Sequence, residues 1–93
     1  MPTITLQIGN SDDHLPQARW HDYVEVVRTL LEAGPAQIHF FGAPPNWAPW
    51  QNAAWVFVAE REQIPALQAA LIEIRARFEQ DSFAWTEGET TFL

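Results

Sequence analysis

Asp12, Asp13 and His14 are the residues whose types could do chemistry together. Two carboxylates beside an imidazole can ligate a divalent ion or work as acid and base. Their spacing argues against both roles, because adjacent side chains rarely converge on one ion and no His-x-x-x-His spacing is present. Acids just ahead of a helix also have a plainer use, complementing its positive end. His21, beside Asp22 and Glu25, has the pattern of a solvated helix face. His39 lies in an apolar run, where it faces the open side of a sheet or a partner rather than a metal. The two serines, Ser11 and Ser82, sit in no nucleophile-elbow motif, and four scattered glycines build no phosphate-cradling loop. Gly9-Asn10-Ser11 ahead of a helix would offer backbone donors to a small anion, but the aspartates that follow repel one. The chain therefore reads as a non-enzymatic protein with no metal and no cofactor.

Composition narrows the partners. The net charge is −7, with twelve acids against five arginines and no lysine at all. Absent lysine removes Schiff-base chemistry and the phosphate-loop lysine. The acidic balance disfavours direct nucleic-acid binding, which needs a basic footprint. It suits a basic protein partner, or simply keeps a small domain soluble. Without cysteine there is no disulfide framework and no thiolate zinc or iron–sulfur site. "MPTITLQIGN" reads as neither a signal peptide nor a membrane span, so the expected location is the cytoplasm, away from membranes.

The aromatics are distributed unevenly. "NWAPWQNAAW" (46–55) holds three of the five tryptophans. Pro44, Pro45 and Pro49 keep this stretch from being a strand interior, which puts Trp47 and Trp50 on a stiffened loop. Such tryptophans either fold back as a lid on the core or stand out as anchors for a partner.

The elements that must position these residues follow from hydrophobic period. "TITLQI" (3–8) alternates strictly, as a half-buried strand does. From Pro16 to Ala33, Trp20, Tyr23, Val24, Val27, Leu30 and Leu31 form one helical stripe, with Asp12 and Asp13 at its start and Gly34-Pro35 as its stop. "AQIHFFG" (36–42) is a second strand, and "AAWVFVAE" (53–60) a third, apolar enough to be covered on both faces. Ile64, Leu67, Leu71, Ile74 and Phe78 mark a second helix running to Gln80, with Glu73–Arg77 and Arg75–Glu79 as outer i,i+4 pairs. "SFAWTEGETTFL" (82–93) is the last strand. Ninety-three residues form a single domain, 1–93.

The order β-α-β-β-α-β most simply makes an α+β split-βαβ sandwich. It resembles the ferredoxin-like topology, a four-stranded antiparallel sheet in the order 4-1-3-2 with two helices on one face. That topology brings residues 9–14, 42–52 and 79–82 to one end of the sheet, gathering Asp12, Asp13, Asn46, Trp47 and Trp50 into a candidate partner-binding surface. It also leaves one sheet face open. Strand 3 must place either Trp55 and Phe57 or Val56 and Val58 there, and strand 2 either His39 and Phe41 or Ile38 and Phe40. Trp55, Phe57, His39 and Phe41 are taken as the candidate dimer face. Two such sheets packed together would resemble the dimeric α+β barrels, some of which are small monooxygenases or isomerases. The leading expectation is an acidic, dimeric interaction module such as an inhibitor, immunity or anti-defence protein. The alternatives are a small-molecule-binding or cofactor-free oxygenase-like domain, its cavity lined by Trp20, Tyr23, Trp55 and Trp85, and a structural subunit of an assembly.

Overall fold

The computed structural model describes residues 1–45 and 48–93. Its elements are β1 (Thr3–Gly9), α1 (Gln17–Ala33), β2 (Gln37–Gly42), β3 (Asn52–Val58), α2 (Ile64–Arg77) and β4 (Ala84–Gly88). Short 3-10 turns at Ser11–Asp13 and Arg61–Gln63 lead toward the two helices. All strand pairs are antiparallel and the sheet order is β2-β3-β1-β4. This is the ferredoxin-like split-βαβ arrangement expected from the pattern.

Alternation in β1 sends Ile4, Leu6 and Ile8 into the core and Thr3, Thr5 and Gln7 to the other face. Cross-strand register carries that choice to β3, where Leu6 opposes Trp55 and Ile4 opposes Phe57. The inner layer is closed by Trp20, Tyr23, Val27 and Leu31 of α1 and Ile64, Leu67, Leu71 and Ile74 of α2, all buried. Their 3–4 spacing is the stripe that packs on the sheet.

Several expectations need correction. Trp55 and Phe57, at 1% and 0% exposure, are core residues and not an open face, because their register partners Leu6 and Ile4 point at the helices. The apolar run of β3 is thus covered on one side only, leaving Ala54, Val56 and Val58 outward and partly exposed. In β2 a bulge interrupts alternation: Ile38 opposes Phe57, yet Phe40 opposes Val56, so His39 is the extra residue. Phe41 is returned to the helix side beside Trp55, with ring centroids 5.1 Å apart. Phe40 alone of the β2 aromatics lies on the outer face. Asp12 and Asp13 do not open α1 either, since a separate turn holds them and Pro16 caps the helix. Glu79 and Arg75 do not pair with each other, because α2 stops at Arg77 and the chain turns away. Among the described residues no helix is long and apolar enough to cross a membrane.

Candidate functional site

The three connections meet at one end of the sheet, and side-chain amides stitch them together. Asn10, immediately after β1, accepts from Leu15 N–H and donates Nδ2–H to Leu15 O, both at 2.8 Å. The same Nδ2 also donates to Gln51 Oε1, and Asn10 N–H to Gln51 O at 3.2 Å. Gln51 Nε2–H then reaches Gln17 Oε1 at 2.7 Å, which ties the tryptophan loop to the start of α1. On the other side Gln80, 3% exposed, accepts from Ser11 N–H at 2.6 Å and donates to Phe78 O at 3.1 Å. A buried amide that satisfies two backbone groups is costly to replace by an apolar residue.

The end of α2 has a recognisable form. Glu79 N–H donates to Ala76 O and Gln80 N–H to Arg75 O, each at 3.0 Å. These two bonds make a Schellman motif, with Glu79 in the left-handed position usually taken by glycine. Arg75 reinforces the turn by donating to Gln80 O (2.9 Å) and Asp81 O (3.1 Å). Asp12 and Asp13 are also left-handed, at φ 53° and 51°, against 57° for Glu79. Among the described residues these are the three non-glycines with positive φ, and all three are carboxylates at this end. Such backbone costs about 1–2 kcal/mol per residue, less for aspartate, whose short side chain tolerates it.

Asp12, Asp13, Glu79 and Asp81 are exposed, and His14 Nε2 lies 3.2 Å from Glu79 Oε2. Among the described residues no three His, Asp or Glu side chains gather to hold a metal ion. Trp50 is 56% exposed. It borders a hollow of about 180 Å³ with Pro44, Pro45, Ala48, Gln17 and Trp20. Asn46 and Trp47 lie outside the described residues. A wider concavity of about 480 Å³ opens beside the network, its walls including Gln7, Asn10, Ser11, Gln51, Asn52 and Ser82. Those side chains are amides and hydroxyls without formal charge.

The aromatics proposed to line an internal cavity instead pack on one another. Tyr23 stacks on Phe78 at 5.1 Å and meets Trp20 edge-on at 5.9 Å, while Trp85 sets its edge on Phe57 at 5.9 Å. Of the four, Trp20 borders the hollow under the loop. Burial pushes the Tyr23 phenol up to about 12, with Arg75 opposing the rise, so it stays protonated at neutral pH.

The sequence pattern had located this end but not the residues that hold it. Asn10 carried a signal, an Asx residue between strand and helix, whereas nothing in the pattern marked Gln51 or Gln80 as buried partners.

No protein-family model matches the chain, and no curated protein matches it. Among solved structures, a dimeric ferredoxin-like protein of unknown function from Thermobifida fusca YX is similar with a TM-score of 0.62 at 15% identity, over 97% of this chain and 92% of its own. The formyltetrahydrofolate deformylase of Burkholderia mallei ATCC 23344 is similar with a TM-score of 0.56 at 17% identity, over 95% of this chain but 27% of the deformylase. At such identities the likeness is one of fold.

Proposed function

We propose that this chain is a non-enzymatic, acidic interaction module that works as a homodimer and takes a basic protein partner on its convergent loop end. A small inhibitor, immunity or anti-defence protein directed at a nucleic-acid-handling enzyme would have this character. One observation carries the reading: a half-exposed Trp50 stands on a loop tied down through Gln51, at the end where three carboxylates hold left-handed backbone. A pre-ordered aromatic loses little entropy on binding and is the residue type most enriched in interface hot spots. The carboxylates would steer a basic partner and set the salt dependence of association. Asn46 and Trp47, on the same loop in sequence, belong to the proposed surface. The dimeric state of the Thermobifida neighbour supports the pairing.

A partner captured by the parent should bind Trp50→Ala more weakly by about 2–4 kcal/mol, with the melting temperature of the variant unchanged. Asp12→Asn with Asp13→Asn should slow association and flatten its salt dependence. Equal affinity in all variants, with a lowered melting temperature for Trp50→Ala, would make the loop a lid and end the proposal. The uncharged concavity of about 480 Å³ favours a second reading, a small-molecule-binding or cofactor-free oxygenase- or isomerase-like domain of the dimeric α+β-barrel kind. Turnover or binding of a neutral small molecule, lost on Asn52→Leu, would support it.

A further inference from the structure

We infer that the open face of the sheet, centred on Val56, is where a second copy of this chain packs. This rests on the pairing proposed above and assigns it a surface. The first ground is the sequence of β3, Asn52–Val58, whose outward residues beyond the polar Asn52 at its start, Ala54, Val56 and Val58, are all apolar, as are its inward ones. Continuous apolar strands are those covered on both sides, and this chain's two helices cover one.

The second ground is charge. The chain carries seventeen ionic side chains, twelve acidic and five basic. Register places Thr3, Thr5 and Gln7 of β1 outward with Ala84 and Thr86 of β4, and neither these nor the outward residues of β3 and β2 include an Asp, Glu or Arg. Two copies, each at −7, repel each other over most of their surface. On this face they meet without opposed carboxylates, and a two-fold interface requires such self-complementarity. A partner of basic chemistry finds nothing here to pair with.

The third ground is shape. Phe40 lies outward and is 55% exposed. A Cβ added at Gly42 would come within 2.6 Å of its ring, so the side chain leans along the strand with the far end of the ring over the glycine. Placed there, it extends the apolar centre. With strands of five to seven residues, spacings of ~4.8 Å between strands and ~3.3 Å per residue give a face of roughly 19 by 20 Å. That is about 380 Å² per copy, below the range of standard specific interfaces, so a weak and readily reversible dimer is expected rather than an obligate one.

Sedimentation equilibrium of the full chain across a micromolar concentration series tests this. The parent should show a monomer–dimer equilibrium. Val56→Arg and, separately, Thr5→Arg, both outward positions on central strands, should raise the dissociation constant at least about tenfold with circular dichroism unchanged. A conservative Val56→Ile should leave the dimer in place. If the parent is a dimer and both arginine variants dimerise as well as it does, the assigned face is wrong while the pairing stands. A parent that is monomeric throughout overturns both.

Discussion

The sheet and the loop end are held by different physics. In the sheet, burial decides: Ile4, Leu6, Trp55 and Phe57 are essentially inaccessible, and ladder register forces their neighbours outward. At the loop end, direction decides: the fold there depends on which amide of Asn10, Gln51 and Gln80 faces which backbone group. Burial is nondirectional and writes a period into the sequence, whereas a hydrogen-bond network needs only the right donor at one point. The first kind of region is robust to sequence drift, and the second can be re-specified one side chain at a time.

The largest effect that could break this contrast lies within one strand. Trp55→Ala should cost about 3–5 kcal/mol, since it empties a ring's volume in the buried core on the helix side of the sheet. Val56→Ala, one residue on, should cost less than about 1 kcal/mol in the monomer, because its side chain already meets solvent on the open face. Urea unfolding at low protein concentration measures both. Comparable losses would mean that the two faces of β3 are equally packed and that the inward assignment of Trp55 is wrong.

This contrast also explains what was legible. Element order, sheet order and the meeting of three connections followed from period and punctuation alone. The strict alternation of β1 identified its inner face, but β3 reads as apolar on both sides, so only pairing with β1 decides between Trp55 and Val56. In β2 the bulge at His39 broke the two-residue period that would have linked His39 to Phe41. A bulge leaves no hydrophobic signature, because it concerns backbone pairing rather than side-chain type. Asp12 and Asp13 were legible as exposed acids ahead of a helix, yet the turn that detaches them from α1 depends on Asn10 bonding to Leu15. Nothing in composition distinguishes Gln80, almost fully buried, from an exposed glutamine such as Gln17 at the start of α1; its role comes from the Schellman turn that swings it inward beneath Ser11.

A smaller effect sharpens the loop-end side. Glu79 occupies the left-handed position of that turn, where glycine carries no Cβ penalty. Glu79→Gly should therefore raise stability by about 0.5–1.5 kcal/mol, even though it deletes the contact with His14. That contact is exposed on both sides and contributes little. If the loop end is a working surface, the same substitution should weaken partner binding, so that stability and affinity move in opposite directions. A fall in thermal stability would show instead that the His14–Glu79 contact outweighs backbone strain, making the end a structural clasp.

The smallest effect tests where the two kinds of region touch, at the end of β2. Gly42 does not have positive φ, so its backbone accepts alanine, and Gly→Ala at such a site usually stabilises by about 0.4–1 kcal/mol through the unfolded chain. Here the new methyl would meet the Phe40 ring, at 2.6 Å from Cζ and 2.8 Å from Cε2. The ring is half-exposed and free to rotate off its position, at about 0.5–1.5 kcal/mol for the distorted rotamer. Gly42→Ala alone should then fall between a gain of about 0.5 and a loss of about 1 kcal/mol. In a Phe40→Ala background the obstacle is gone, and the full gain should appear. The double-mutant cycle should thus give a coupling of about 0.5–1.5 kcal/mol, measured below the concentration at which copies associate. Should a second copy press on the ring, as the uncharged face implies, its rotation is blocked and the coupling grows as protein concentration rises. Zero coupling at every concentration would mean that Phe40 does not lie over Gly42, and the apolar centre of the open face would lose its aromatic.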